Sequence, residues 1–134
     1  MNIAFDVDGV LADFAGGFAR VLGDLYGFDM EERVPKTWRW SDWVDGLTHK
    51  METGAWEAIT DNPAYQDFWA ELDPLVTLGE IGTINHLSRR NVISFITNRQ
   101  EKGQHMGVLD VTKIWLRELD IAPYMNTFLA PSAR

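Results

Sequence analysis

The 134-residue chain has no cysteine, which excludes disulfides, zinc–thiolate centres and thiol catalysis. Positive charge is scarce: 12 lysines and arginines stand against 20 acids, for a net charge of −8. A basic surface for a nucleic-acid polymer is therefore excluded. An anionic substrate would need a local cation or backbone donors, because the field of the whole protein repels it. No apolar run approaches the ~20 residues of a membrane span. Met1 leads almost at once into strand-like sequence, without the basic flank and apolar core of a signal peptide, so a cytoplasmic chain without membrane partners is expected. Internal repeats and low-complexity segments are missing, and His49, His86 and His105 lack metal-ligand spacing. What remains is an ordinary globular balance, 46% hydrophobic and 24% charged, in a length that suits one compact domain.

Ile3, Phe5 and Val7, with Ala4 between them, make an apolar run too short for a helix and bounded by Gly9; the pattern predicts a buried parallel strand. Phe14, Phe18, Val21, Leu22 and Leu25 then fall on one helical stripe. Gly27 is placed to end that helix, and Asp13 to cap its start. From 29 to 73 the texture changes. Trp38, Trp40, Trp43, Trp56 and Trp69 cluster with Tyr65 and Phe68 among Pro35, Gly46, Gly54 and Pro63, which predicts a small, mostly helical insertion. After Pro74 an α/β rhythm returns. Leu78, Ile81, Ile84 and Leu87 line a helix, a strand runs from Val92 to Thr97, Val108, Val111, Trp115 and Leu119 line a second helix, and Asn126 opens a third strand. Strands alternating with helices imply right-handed crossovers and a parallel sheet. The core is then 1–28 with 74–134, interrupted by the insertion at 29–73.

Sites in open parallel sheets form at the carboxyl ends of the strands. The first strand ends in Asp6-Val7-Asp8-Gly9 and the second in Thr97-Asn98-Arg99. Adjacent parallel strands bring together two acids, a hydroxyl, an amide and a flexible glycine. Two carboxylates two residues apart leave a strand on the same side, and like charges that close call for a cation or a reaction. Such a set suits Mg²⁺ held by carboxylate, backbone oxygen and water, together with a phosphate ester whose charge the metal neutralises. Arg89 and Arg90 fall at the opposite end of the sheet and read as surface charge.

These residues carry a family resemblance. "DVDGVLADF" resembles the first motif of the haloacid-dehalogenase superfamily, and its continuation is most similar to the 5′(3′)-deoxyribonucleotidase branch. "FITNR" resembles the second motif, "DVTKIWLRELDI" resembles the helix after it, and the tryptophan-rich segment stands where that branch carries its small cap. The resemblance covers nearly the whole chain in order and implies a three-layer parallel-sheet α/β core with a helical cap inserted after the first strand. It implies that Asp6 is the nucleophile, forming an aspartyl-phosphate, and that Asp8 is general acid and then base. Asp6 and the Asp8 backbone carbonyl would bind Mg²⁺. Thr97, Asn98 and Gly9 would hold the phosphoryl group. The tryptophans read mainly as the insertion's own core, and one or two of Trp38, Trp40 and Trp43 would be the alternative, stacking on a nucleobase.

The family pattern also includes a lysine after the third strand and an acidic fourth motif. The chain reaches "NTFLAPSAR" about where that lysine is expected, so a C-terminally incomplete core is the expectation. Lys102 and Lys113 are poorly placed substitutes, and Arg99 is nearer the site. Two readings stay open. One is a Mg²⁺-dependent phosphatase of a small phosphate ester, a 5′-deoxynucleotide first among them. The other is a catalytically weak domain that binds metal or ligand, or assembles with a missing segment or partner. Three strands leave an exposed sheet edge, at which a homodimer is expected.

Overall fold

The computed structural model describes residues 1–29, 37, 39–99 and 107–130. Three parallel strands, β1 (Asn2–Asp6), β2 (Val92–Thr97) and β3 (Thr127–Leu129), form a sheet in the order β1-β2-β3. Asp6 is in register with Ile96, and Ile96 with Phe128. The Val7 N–H carries the ladder one residue further, donating to the Ile96 carbonyl at 3.0 Å. The expected neighbours are therefore adjacent, and the ends of β1 and β2 meet.

Among the described residues four α-helices complete the framework: α1 (Phe14–Tyr26), α2 (His49–Asp61), α3 (Leu78–Leu87) and α4 (Val108–Glu118). The Asp13 side chain caps α1, accepting from the Gly16 N–H at 2.9 Å, and Gly27 ends it in the left-handed conformation. Thr77 and Glu80 form a reciprocal capping box at the start of α3. Three predicted stripes shift in detail. Leu25, near the end of α1, is exposed. Leu78, the first residue of α3, is exposed, because a helix's first turn projects past the surface it packs on. On α4 the buried line is Val108, Thr112, Trp115 and Leu116, which leaves Val111 and Leu119 half-buried beside it.

The sheet's two faces differ. Ile93, Phe95, Thr97 and Thr127 are buried, and Phe5 stacks on its register partner Phe95 with centroids 6.1 Å apart. The alternate residues Ala4, Ile96 and Phe128 are exposed. Among the described residues the fold is thus an α/β arrangement with one covered sheet face, a coarser architecture than three layers.

Between 39 and 73 the described residues contain helix and 3₁₀ turns and no strand. Their aromatic rings do not form a separate core. Phe14 of α1 stacks on Trp56 (5.3 Å) and Trp69 (5.8 Å), and Phe18 meets Trp40 (4.9 Å). Gly17 makes the close approach possible: a Cβ there would lie 3.2–3.3 Å from the Phe68 ring and closer still to Leu72. Burial of each large side chain contributes roughly 1.5–3 kcal/mol, so the insertion and α1 stabilise one another. The buried Glu52 of α2 ties the segment together locally, accepting from the Trp40 and Ser41 backbone N–H groups.

Candidate active site at the strand ends

β1 delivers Asp6 at its last residue and Asp8 two positions on, past fully buried Val7. The turn closes tightly. Gly9 has a φ of +82°, which favours glycine, and its N–H donates to the Ala12 carbonyl at 2.9 Å, while Leu11 and Ala12 both donate to the Val7 carbonyl. The loop from strand to helix is thereby rigid, and it holds both acids at the sheet's carboxyl end.

Asp6 is exposed. Its pKa is raised above the ordinary 3.8, first by partial desolvation and then by the charge of Asp8, against a smaller opposing effect of the Val7 N–H. A nearby cation would act against both by favouring the charged carboxylate. No side chain among the described residues donates a hydrogen bond to Asp6.

Asp8 lies in a different setting. Thr97, at the end of β2 and 89 residues away in sequence, donates its hydroxyl to Oδ2 at 3.1 Å. Arg99 approaches as a fork, with Nη2 2.8 Å from Oδ1 and Nε 3.1 Å from Oδ2. The Arg99 side chain is fully buried, while that of Asp8 keeps 22% exposure. Beneath the ion pair, Arg99 Nη1 donates to the buried Thr112 hydroxyl of α4 at 2.8 Å. The guanidinium carbon stands 4.5 Å from the centre of the Trp69 ring. Thr112 in turn donates to the Val108 carbonyl one turn back.

The structure therefore brings Asp6, Asp8, Gly9 and Thr97 to one place and sets exposed Asn98 directly after β2. Thr97 is fully buried and directs its hydroxyl at Asp8. The proposed stacking residues are placed otherwise. Trp40 is buried between Phe18 and Trp43. Trp43 is half-buried, with a buried indole N–H that has no acceptor among the described residues. Trp38 lies outside the described residues, as do Lys102 and His105.

Sequence reasoning left Arg99 unassigned and missed Trp69 and Thr112 as its supports. One signal was available: Arg99 follows Thr97 by two residues, the same spacing that joins Asp6 to Asp8. A threonine in the apolar line Val108, Thr112, Trp115 was a second.

A hard divalent cation fits part of this set. Asp6 offers an exposed carboxylate and Asp8 a main-chain carbonyl, whereas the Asp8 carboxylate is occupied by Arg99 and Thr97. Mg²⁺ commonly takes one or two protein oxygens and completes its shell with water and substrate phosphate. Among the described residues no group of three or more histidines, aspartates or glutamates is arranged to hold a metal, and no helix is long and apolar enough to cross a membrane. No family model matches the chain, and no curated protein matches it significantly.

Proposed function

We propose that the chain is a Mg²⁺-dependent phosphatase of the haloacid-dehalogenase type, acting on a small phosphate monoester, with 5′-deoxynucleotides first among the candidates. The observation that carries this reading is the pair at the end of β1: an exposed Asp6 beside an Asp8 fixed by β2 and its following loop. One carboxylate is available to react, and the other is held in place.

In this mechanism an Asp6 oxygen attacks phosphorus, and the bond from phosphorus to the ester oxygen breaks. The departing alkoxide takes a proton from Asp8. Water then attacks the aspartyl-phosphate at phosphorus and gives a proton back to Asp8, releasing phosphate and restoring Asp6. Thr97 suits both halves of this cycle, because a hydroxyl donates to a carboxylate and accepts from a carboxylic acid by rotating. The exposed turn around Gly9 and Asn98 is the side from which phosphate would enter. Bound Mg²⁺, held by Asp6 and the Asp8 carbonyl, would supply neutralisation of the phosphate charge.

A second reading, a domain that binds metal or ligand without efficient turnover, is favoured by one observation. Asp8 already accepts from Arg99 and Thr97 through both oxygens, so proton transfer requires those contacts to adjust. In either reading a second copy of the chain could pair along an edge strand, because among the described residues β1 and β3 each have one unpaired side; light scattering that finds only monomer would remove that part.

Phosphate release from a panel of deoxynucleoside monophosphates, with and without Mg²⁺, tests the main reading. Metal-dependent release that is lost in Asp6→Asn supports it. Folded protein with no release above the Asp6→Asn blank overturns it and leaves the binding domain.

A further inference from the structure

We infer that Arg99 is the positioning residue of the site: a buried guanidinium, clamped between the insertion and α4, that sets the Asp8 carboxylate for proton transfer and does not itself touch phosphate. The inference rests on the phosphatase reading and assigns a residue that the family resemblance left without a role.

Three observations converge on it. First, the Arg99 side chain is fully buried and Asp8 carries the pair's remaining exposure, so an incoming phosphate meets Asp8 and Asp6 before it could meet the guanidinium. Second, the fork is directed at Asp8 through Nε and Nη2, which fixes the carboxylate's plane as well as its position. A lysine ammonium is a point charge and could not do this. Third, the guanidinium has its own supports on two elements, Trp69 against its face and Thr112 at Nη1. Trp69 is fixed in turn by stacking on Phe14. Leu72, a few residues on, accepts from the Trp115 indole at 2.9 Å. A chain of contacts thus runs from α4 and the insertion through one arginine to the acid.

This arrangement gives the tryptophan-rich segment a part in the reaction without a stacked nucleobase. Trp69, the last of its tryptophans, holds the residue that holds the acid. A displacement of Trp69 moves the guanidinium it faces and with it the resting position of Asp8, and misplacement of a reacting group by about 1 Å can cost on the order of 10²-fold in rate.

The test separates positioning from binding through kcat and KM for p-nitrophenyl phosphate in Mg²⁺, with Asp6→Asn as the blank and thermal melting as the fold control. Arg99→Lys keeps the charge and loses the fork. The expected result is a fall in kcat of about 10²-fold with KM unchanged. Thr112→Val, which leaves Arg99 in place and is the milder change, should lower kcat about tenfold, the equivalent of one hydrogen bond, and should add little in the double variant. A raised KM with kcat unchanged makes Arg99 a phosphate ligand and overturns the inference. Wild-type kcat in folded Arg99→Lys or Thr112→Val also overturns it, while the phosphatase reading survives.

A wild-type chain with no Asp6-dependent turnover overturns the reading and the role together. One readout needs neither metal nor substrate. The Arg99 Nε–H resonance of ¹⁵N-labelled protein should be slow to exchange and should shift in Asp8→Asn; a resonance indifferent to that substitution shows that the fork does not hold the acid.

Discussion

Asp6 and Asp8 leave the same strand two residues apart, and their surroundings have little in common. Asp6 faces solvent with its negative charge opposed by partial burial and by its neighbour. Asp8 is gripped through both oxygens by a buried arginine and a buried threonine. A third acid of the same opening stretch, Asp13, has a plain structural job as the cap of α1. The lesson is that position in a motif does not divide reactivity from stability. The division comes from what the rest of the chain, tens of residues later, places against each carboxylate.

The largest effect should follow from breaking the gripped acid. Asp8→Ala leaves the Arg99 guanidinium buried without its partner, and removing one member of a buried ion pair costs about 3–5 kcal/mol. Urea denaturation should show that loss, and a change below about 1 kcal/mol would mean that the pair is not buried in solution. Removing the cap by Asp13→Ala should cost about 1 kcal/mol, with activity retained, and so provides the benchmark for an acid with no chemical role. Thr97→Val keeps the shape and deletes one donor to Asp8, for a loss of about 1 kcal/mol in the same assay.

The smallest effect has the opposite sign. The folded pKa of Asp6 is raised, so the native state binds its proton more tightly than the unfolded chain does. Stability contributed by this group therefore falls as pH rises from the ordinary value of 3.8 through the raised one, and the cost is fully present above that window. Asp6→Asn should melt slightly above wild type at pH 7 and match it below about pH 3.8, where both side chains are neutral. A variant that melts lower at pH 7 would mean that the Asp6 carboxylate is stabilised in the fold.

Much of this was legible before any coordinates. The strand at Val92–Thr97 and the helix ending at Gly27 follow from periodicity and from one glycine. The meeting of Asp8 with Thr97 follows from parallel pairing of two strand ends. The grip of Arg99 was signalled only by its two-residue spacing from Thr97 and by Thr112 in an apolar line, because a lone arginine after a strand carries no periodic pattern and its partners come from three separate segments. Trp40 was ambiguous for a related reason: composition marks a tryptophan as aromatic, and only packing decides that its faces are covered by Phe18 and Trp43. The open sheet face was not legible from alternation, because that face too carries apolar residues such as Ile96 and Phe128.

The hydrogen bond from Thr97 to Asp8 closes a ring of 89 residues. The entropy of bringing such distant points together is on the order of 4 kcal/mol plus a constant, and nothing local offsets it until β1 lies against β2. Packing of α1 and the aromatic insertion on one another lowers that cost, because it shortens the ring to be closed. Without the pairing of β1 with β2 Asp13 would still cap α1, whereas nothing would distinguish Asp6 from Asp8. Asp6 and Asp8 become different residues only when the two distant parts of the polypeptide have met.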